Sequence, residues 1–496
     1  MFLGLTFIAC LSLTQVIYPY VWLAGFLCLT IFFIVLLKPI IGIYLMLLLY
    51  PLGSISLFIE YDQIRSSLYF EEMFSFMLLL VMILKKLSDR HQQPMHAESI
   101  TAFPYKWIFF LLSLFIIWST YTVFRSQYFF ISLIGLWRFI SCFIIITFLV
   151  LYLDTYEKFI DVLKIYCFVA LIYGLSAVYA TNFVFDFDYR LNTFMGIHFR
   201  LFNQASGVLL SNVGMLMGVG LASKHDLAML LTGGIFFALL LMKLSDSLKV
   251  RFILLILVLL YITIIYQVFS KISIAGMFLA TMFLCFAVSD WRKLTVWVVA
   301  IFIILNIAGF LGSSLLKTTH MKNMESTQQK IESSVSESEY EPSSLAGRKL
   351  IWRKTIERII HNNGLGSGPD SLRVDMAFAI PHGHNFLLTL IAEYGLPGAA
   401  LIIIFLLVIA ESSHKSIFVM PNVKNNLWIL QAVFVAASLH ALFVYCFDMP
   451  IYRKQLWFML GLLMASINVA AKCNQKEINH LAESCGELKL VTQQRD

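Results

Sequence analysis

The sequence predicts an all-α, polytopic integral membrane protein of about 12–15 transmembrane helices with one large extracytoplasmic loop, and three observations predict it. Of the 496 residues, 60% are hydrophobic and only 13% are charged, where a soluble domain carries about 25% charged residues. Apolar runs of spanning length, roughly 20 residues, recur along the whole chain. A single substantial polar stretch, 315–383, interrupts them. A continuous apolar body of this kind excludes an ordinary soluble enzyme domain.

The runs fall near 3–18, 20–37, 39–58, 69–84, 107–123, 129–152, 160–179, 204–222, 227–242, 252–268, 272–288, 295–314, 385–410, 427–448 and 455–472. No basic n-region or small-residue cleavage site marks the first as a signal peptide, so it reads as an uncleaved helix. Basic residues set the orientation, because loops rich in Lys and Arg stay in the cytoplasm. Lys85, Lys86, Arg90 and Lys106 place the segment 85–106 inside, the N-terminus inside and the loop 180–203 outside. The polar tail after Lys472 is placed inside, which puts 315–383 outside. The two directions of counting disagree by one crossing between 204 and 268. The short run 227–242 is the candidate for a re-entrant or merged segment, which leaves about fourteen spans.

Four regions follow: an N-terminal transmembrane bundle (1–314), an extracytoplasmic loop (315–384), C-terminal transmembrane helices (385–472) and a cytoplasmic tail (473–496). The net charge of +7 is that of membrane loops held on one side, not of a nucleic-acid surface. Six of the eight cysteines lie within or beside apolar runs, and Cys473 and Cys485 lack metal-type spacing. Within the loop, Lys322–Glu341 is rich in Ser and Glu and reads as mobile. After Ser343 and Ser344 the pattern becomes helical. Trp352, Ile356, Ile359 and Ile360 share a stripe, with Arg353, Lys354 and Arg358 elsewhere, as in a basic helix lying on an anionic membrane surface.

The densest signal runs from the end of this loop into the next span. It reads Gly347-Arg348, Trp352, Gly364-Leu-Gly366-Ser-Gly368, His384-Asn385-Phe-Leu-Leu388 and Glu393-Tyr-Gly395-Leu-Pro-Gly398. In that order these elements resemble the O-antigen ligase and polymerase superfamily of bacterial surface-polysaccharide synthesis. Two further positions depart from the family pattern. Ser270-Lys271 stands where a Ser-Arg is usual, which keeps the charge but loses the planar fork. Phe202-Asn203-Gln204 lacks the usual proline, while Asp448 sits where members often carry an acid.

The resemblance implies glycosyl transfer from a polyprenyl-diphosphate-linked donor to an acceptor hydroxyl, with inversion and without metal or other cofactor. It therefore implies as partners a lipid-linked glycan donor, a glycan acceptor, membrane lipids and other polysaccharide-assembly proteins, at the cell membrane. Such a reaction needs cations for a diphosphate and a base for the hydroxyl, and arginine's bidentate fork suits the former. Arg138 lies inside an apolar run, where a central arginine costs about 2.5–3.5 kcal/mol on insertion scales. Either an anionic or polar partner offsets that, or the side chain snorkels to the interface. Arg190, Arg200, Lys271 and Arg348 fall on the same outer side, each as a substrate contact or a solvated charge. His384 is the candidate general base, and its alternative is a satisfied polar residue at a helix entrance. Asn385 is expected to hold the loop or ring in place. Glu393 either orients the site or caps a kink beside Gly395 and Pro397. A metal at His382 and His384 would have no third ligand nearby.

No Walker loop or His-Glu-x-x-His motif is present, and no cytoplasmic domain is large enough to bind a nucleotide sugar. Within the superfamily the expected activity is polymerisation of undecaprenyl-diphosphate-linked repeat units into a polymer such as teichuronic acid, capsule or O-antigen. The alternatives are a ligase that moves the glycan to lipid A core or to a protein, and a transporter or flippase of lipid-linked sugars. Matching halves with broken helices, the mark of many transporters, are not found.

Overall fold

In hydrocarbon every backbone N–H and C=O must bond within the protein, and an α-helix achieves this along its whole length. A computed structural model describes residues 19–49, 56–61, 64–92, 103–182, 190–194, 197–200, 224–268, 271–288, 345–372, 385–419, 427–448 and 453–493. The helices are α1 (Pro19–Leu37), α2 (Pro39–Leu49), α3 (Phe70–Gln92), α4 (Phe103–Arg125), α5 (Phe129–Tyr152) and α6 (Tyr156–Asn182). They continue as α7 (Lys224–Leu244), α8 (Leu248–Val268), α9 (Lys271–Ala287), α10 (Leu345–His361), α11 (Phe386–His414), α12 (Leu427–Asp448) and α13 (Lys454–Gln493). A π-helical turn, Lys415–Val419, extends α11. Among the described residues, seven helices are long and apolar enough to cross a membrane. The expected all-α, polytopic architecture is the observed one. The runs 3–18, 204–222 and 295–314 lie outside the described residues.

Contacts between helices fix their directions. Cys167 Sγ donates to the Gly234 carbonyl at 3.7 Å. Gly233 packs against Tyr166, whereas Gly174, further along α6, packs against Leu231. The contacts advance along α6 as they retreat along α7, so the two helices are antiparallel. Asn182 and Lys224 therefore lie at the same end of the bundle. The re-entrant reading of 227–242 is corrected. That run is a full helix whose span Asp226–Leu244 is largely buried among its neighbours.

At that same end α3, α7 and α13 begin. Lys454 Nζ lies 3.8 Å from Glu72 Oε1, and Gln455 Nε2 donates to the Asp226 carbonyl at 3.1 Å. The opposite end carries Lys85, Lys86, Lys158, Lys243, Lys249, Arg251, Lys415 and Lys472. Just beneath the first end, α4, α5, α11 and α13 meet around aromatic rings. Phe139 lies 4.4 Å from Phe115, 5.5 Å from Tyr394 and 5.1 Å from Trp457, centroid to centroid.

A small sheet adds to the helical body. Strands β1 (Ser56–Tyr61), β2 (Ile64–Tyr69), β3 (Arg190–Phe194) and β4 (Ile197–Arg200) pair antiparallel in the order β2-β1-β4-β3. The run 39–58 is thus not one helix, because α2 stops at Leu49 and the chain is extended from Ser56. Pro51 and Gly53 stand between, followed by the strand-forming Leu57-Phe58-Ile59. Since β2 leads directly into α3 and β3 follows α6, the sheet joins two distant segments at the end where those helices meet.

The Lys-rich end should face the cytoplasm. A cysteine at the exposed Arg353 position of α10 should then react with an impermeant maleimide added to intact cells, and one at Asp246 should react only after permeabilisation. The reverse pattern would invert the bundle.

Candidate functional site

The site is organised by a break in α11. Gly395 adopts φ +74° and Pro397 has no N–H, so the helical ladder stops there. Two carbonyls, those of Ala392 and Glu393, lose their usual partners, and each finds another. The Ala392 carbonyl accepts from Ser367 N and from Ser367 Oγ, both at 3.0 Å. The Glu393 carbonyl, which would have faced the proline, accepts from Gly368 N at 3.0 Å. The Tyr394 carbonyl accepts from Trp118 Nε1 at 2.6 Å. In return Leu396 N donates to the Gly364 carbonyl at 2.8 Å. The Gly-x-Gly turn and the Glu-x-Gly-x-x-Gly segment are therefore two halves of one backbone junction.

Glycine is required on both sides of it. Gly366 (φ +85°) lies so close that a Cβ there would stand 2.7 Å from the Glu393 carbonyl oxygen and from Gly395 N. A Cβ on Gly395 would meet the Leu365 carbonyl carbon at 2.6 Å. Positive φ and close backbone approach both demand glycine.

A buried ionic set lies beside the junction. Arg138 enters from α5 about 14 Å below the helix start at 1.5 Å per residue. Its guanidinium pairs with Asp370, just after the turn, and its Nε lies 3.3 Å from Glu72 Oε1. Lys454 Nζ donates to the Arg138 carbonyl at 2.8 Å. The side chains of all four are fully buried. The Asp370 backbone N–H donates to the Glu393 carboxylate. Arg358 of α10 reaches Ser367 Oγ at 3.1 Å. Burial draws its guanidinium below the ordinary arginine range, opposed by Tyr128 and Glu393.

The sequence-predicted residues fall as follows. Arg138 does not snorkel, since its side chain is buried and Asp370 and Glu72 offset its charge. Asn385 is the N-cap of α11, its side chain accepting from Leu388 N at 3.0 Å. Glu393 is buried at the kink. Arg348 is partly buried on α10, while Arg190 and Arg200 are register partners in β3 and β4. Lys271 opens α9 at the same end of the bundle, as α9 follows α8. His384 lies outside the described residues and immediately precedes the Asn385 cap. Ile351 and Thr355 are buried, whereas Ile356 and Ile360 are 44% and 69% exposed. The helix docks edge-on, because Ile351 packs with Leu372 and Ala392 and Ile359 closes on them.

Residues 253–403 match the model of the O-antigen ligase family. Over that part of the chain the match agrees with the resemblance to the O-antigen ligase/polymerase superfamily. No curated protein matches the chain. The O-antigen ligase match takes in Lys271, Arg348, Asn385 and the whole turn–kink junction, but not Arg138, Glu72 or Lys454. It supports an O-antigen ligase- or polymerase-like activity of a multi-pass membrane protein and implies lipid-linked glycan substrates.

Sequence reasoning missed Asp370, Glu72, Lys454, Arg358 and Trp118. A signal existed for two of them, since Glu72 and Lys454 are ionisable residues at the ends of apolar runs, where charge is costly and functional by default. Gly366→Ala should destabilise the protein by about 1–3 kcal/mol through backbone strain, with a further loss from the 2.7 Å clash. A lowered melting temperature in detergent would report it, and an unchanged one would contradict the tight junction.

Proposed function

We propose that this protein is a membrane glycosyltransferase that joins undecaprenyl-diphosphate-linked oligosaccharide repeat units into a bacterial surface polysaccharide. The observation that carries this reading is the turn–kink junction. The family elements Gly364–Gly368 and Glu393–Gly398 close on one another at the bundle end where several helices start, with α11 capped by Asn385 at its entry. The arrangement supports a site where a lipid-embedded donor and a water-side acceptor meet.

In this reading the acceptor oxygen attacks the anomeric carbon of the donor sugar. The bond from that carbon to the diphosphate oxygen breaks, polyprenyl diphosphate leaves, and the configuration inverts. His384 takes the hydroxyl proton, and Asn385 fixes the start of the helix behind it. Arg348, together with Arg190 and Arg200 on paired strands and Lys271 at the head of α9, supplies positive charge for the diphosphate and glycan. Arg138 is left out of the donor contacts, since its guanidinium already faces two carboxylates.

Purified protein in liposomes with lipid-linked repeat units tests the scheme. His384→Ala should lower chain extension about 10²–10⁴-fold, the usual contribution of a positioned base, with a chelator making no difference. Arg348→Ala should weaken the donor interaction, and Arg348→Lys should restore only part of it, because an ammonium lacks the planar fork. Near-normal polymer from His384→Ala would remove it as the base. A single transfer without chain growth would turn the assignment to a ligase.

A further inference from the structure

We propose that Asp370 is a positioning residue for the transfer reaction, fixing the first turns of α11 through its pairing with Arg138. The inference rests on the glycosyl-transfer reading for its kinetic consequence, but its geometric part stands independently.

Asp370 has φ +60°, a left-handed conformation that is uncommon outside glycine. Such a conformation persists where the surroundings over-determine it, and here they do so from three directions. The side chain reaches Arg138 within α5. The backbone N–H reaches the Glu393 carboxylate within α11. Behind the residue the chain lies against Gly135, where an added Cβ would stand 2.8 Å from Pro369 and 2.9 Å from Asp370 Cβ. Arg138 is itself held, by Glu72 from α3 at its guanidinium and by Lys454 from α13 at its carbonyl.

The far side of the linkage is the segment Phe386–Tyr394, the short stretch of α11 before the kink. Beyond Gly395 the main helix does not guide this stretch, because the ladder is interrupted there. Its position is set instead by Ser367 and Gly368 at its lower end, by Trp118, and by Asp370 through Glu393. Its upper end is the Asn385 cap, next to His384. A carboxylate that meets neither substrate nor reacting atoms thus governs where the Asn385 cap and the first turns of α11 stand. A misplacement of about 1 Å costs on the order of 10²-fold in rate, so small slack at Asp370 reaches the chemistry.

The test uses the full chain in liposomes with lipid-linked repeat units, comparing wild type with Asp370→Asn, Asp370→Glu and Arg138→Lys. Asp370→Asn should lower turnover about 10–100-fold while leaving KM for the donor within about twofold. Asp370→Glu and Arg138→Lys, which keep the charges, should each recover part of the loss. Hydrogen exchange, which reports local opening, should rise over 386–394 in Asp370→Asn, with 129–152 unchanged. Undiminished turnover, or a loss confined to KM, would overturn the proposal. If wild type makes no product at all, the glycosyl-transfer reading fails, and exchange alone then decides. Unchanged exchange over 386–394 in Asp370→Asn would sink the positioning role on its own. Should Asp370→Asn not fold, Arg138→Lys carries the same comparison.

Discussion

A broken helix in apolar surroundings is possible only if the carbonyls it frees find donors elsewhere. A typical hydrogen bond contributes about 0.5–1.5 kcal/mol net, but a buried group left without one costs about 1–3 kcal/mol. The kink at Gly395 and Pro397 frees the Ala392 and Glu393 carbonyls, the turn at Gly364–Gly368 answers them, and Trp118 adds a bond to the Tyr394 carbonyl. Each half needs the other. Without the turn α11 would straighten or pay for unpaired backbone, and without the kink the turn would have no acceptors. The helix α10 is attached to the bundle through this exchange.

The buried ionic set stands one layer deeper and ties the same junction sideways. Burying charges is costly, and a buried pair is often no more stabilising than a good apolar contact. Its effect lies in the asymmetry, because removing one partner strands the other at a cost of about 3–5 kcal/mol. Arg138 links α3, α5 and the residue after the glycine turn, while Lys454 brings in α13. Few arrangements of these four segments leave all the charges matched. The set therefore favours one docking of the loop over the many that apolar packing alone would allow.

Much of this was legible in the sequence, and what was not has identifiable causes. The span near 129–152 coincides with α5, because its apolar run is bounded by polar residues on both sides. The Gly-rich turn ended α10 where the three glycines said it would. The length of 227–242 misled because Lys224, His225 and Asp226 open the helix with polar residues that hydropathy discounts. The sheet was hidden by Leu57-Phe58-Ile59, a short apolar run that periodicity cannot separate from the end of a helix. On α10, the isoleucines marked an apolar stripe correctly, but a single helix cannot tell which flank its neighbours will cover. Arg138 was recognisable as anomalous, whereas its partner Asp370 lies far away in sequence inside what reads as an ordinary turn. Pairing at that distance is tertiary information.

The last helix has a consequence of a mechanical kind. α13 runs unbroken from Lys454 to Gln493, 40 residues, which is about 60 Å at 1.5 Å per residue. The hydrocarbon core takes up about 30 Å, so roughly half the rod stands clear on the far side. One stiff shaft thus connects the neighbourhood of Arg138 with a point well away from the bilayer.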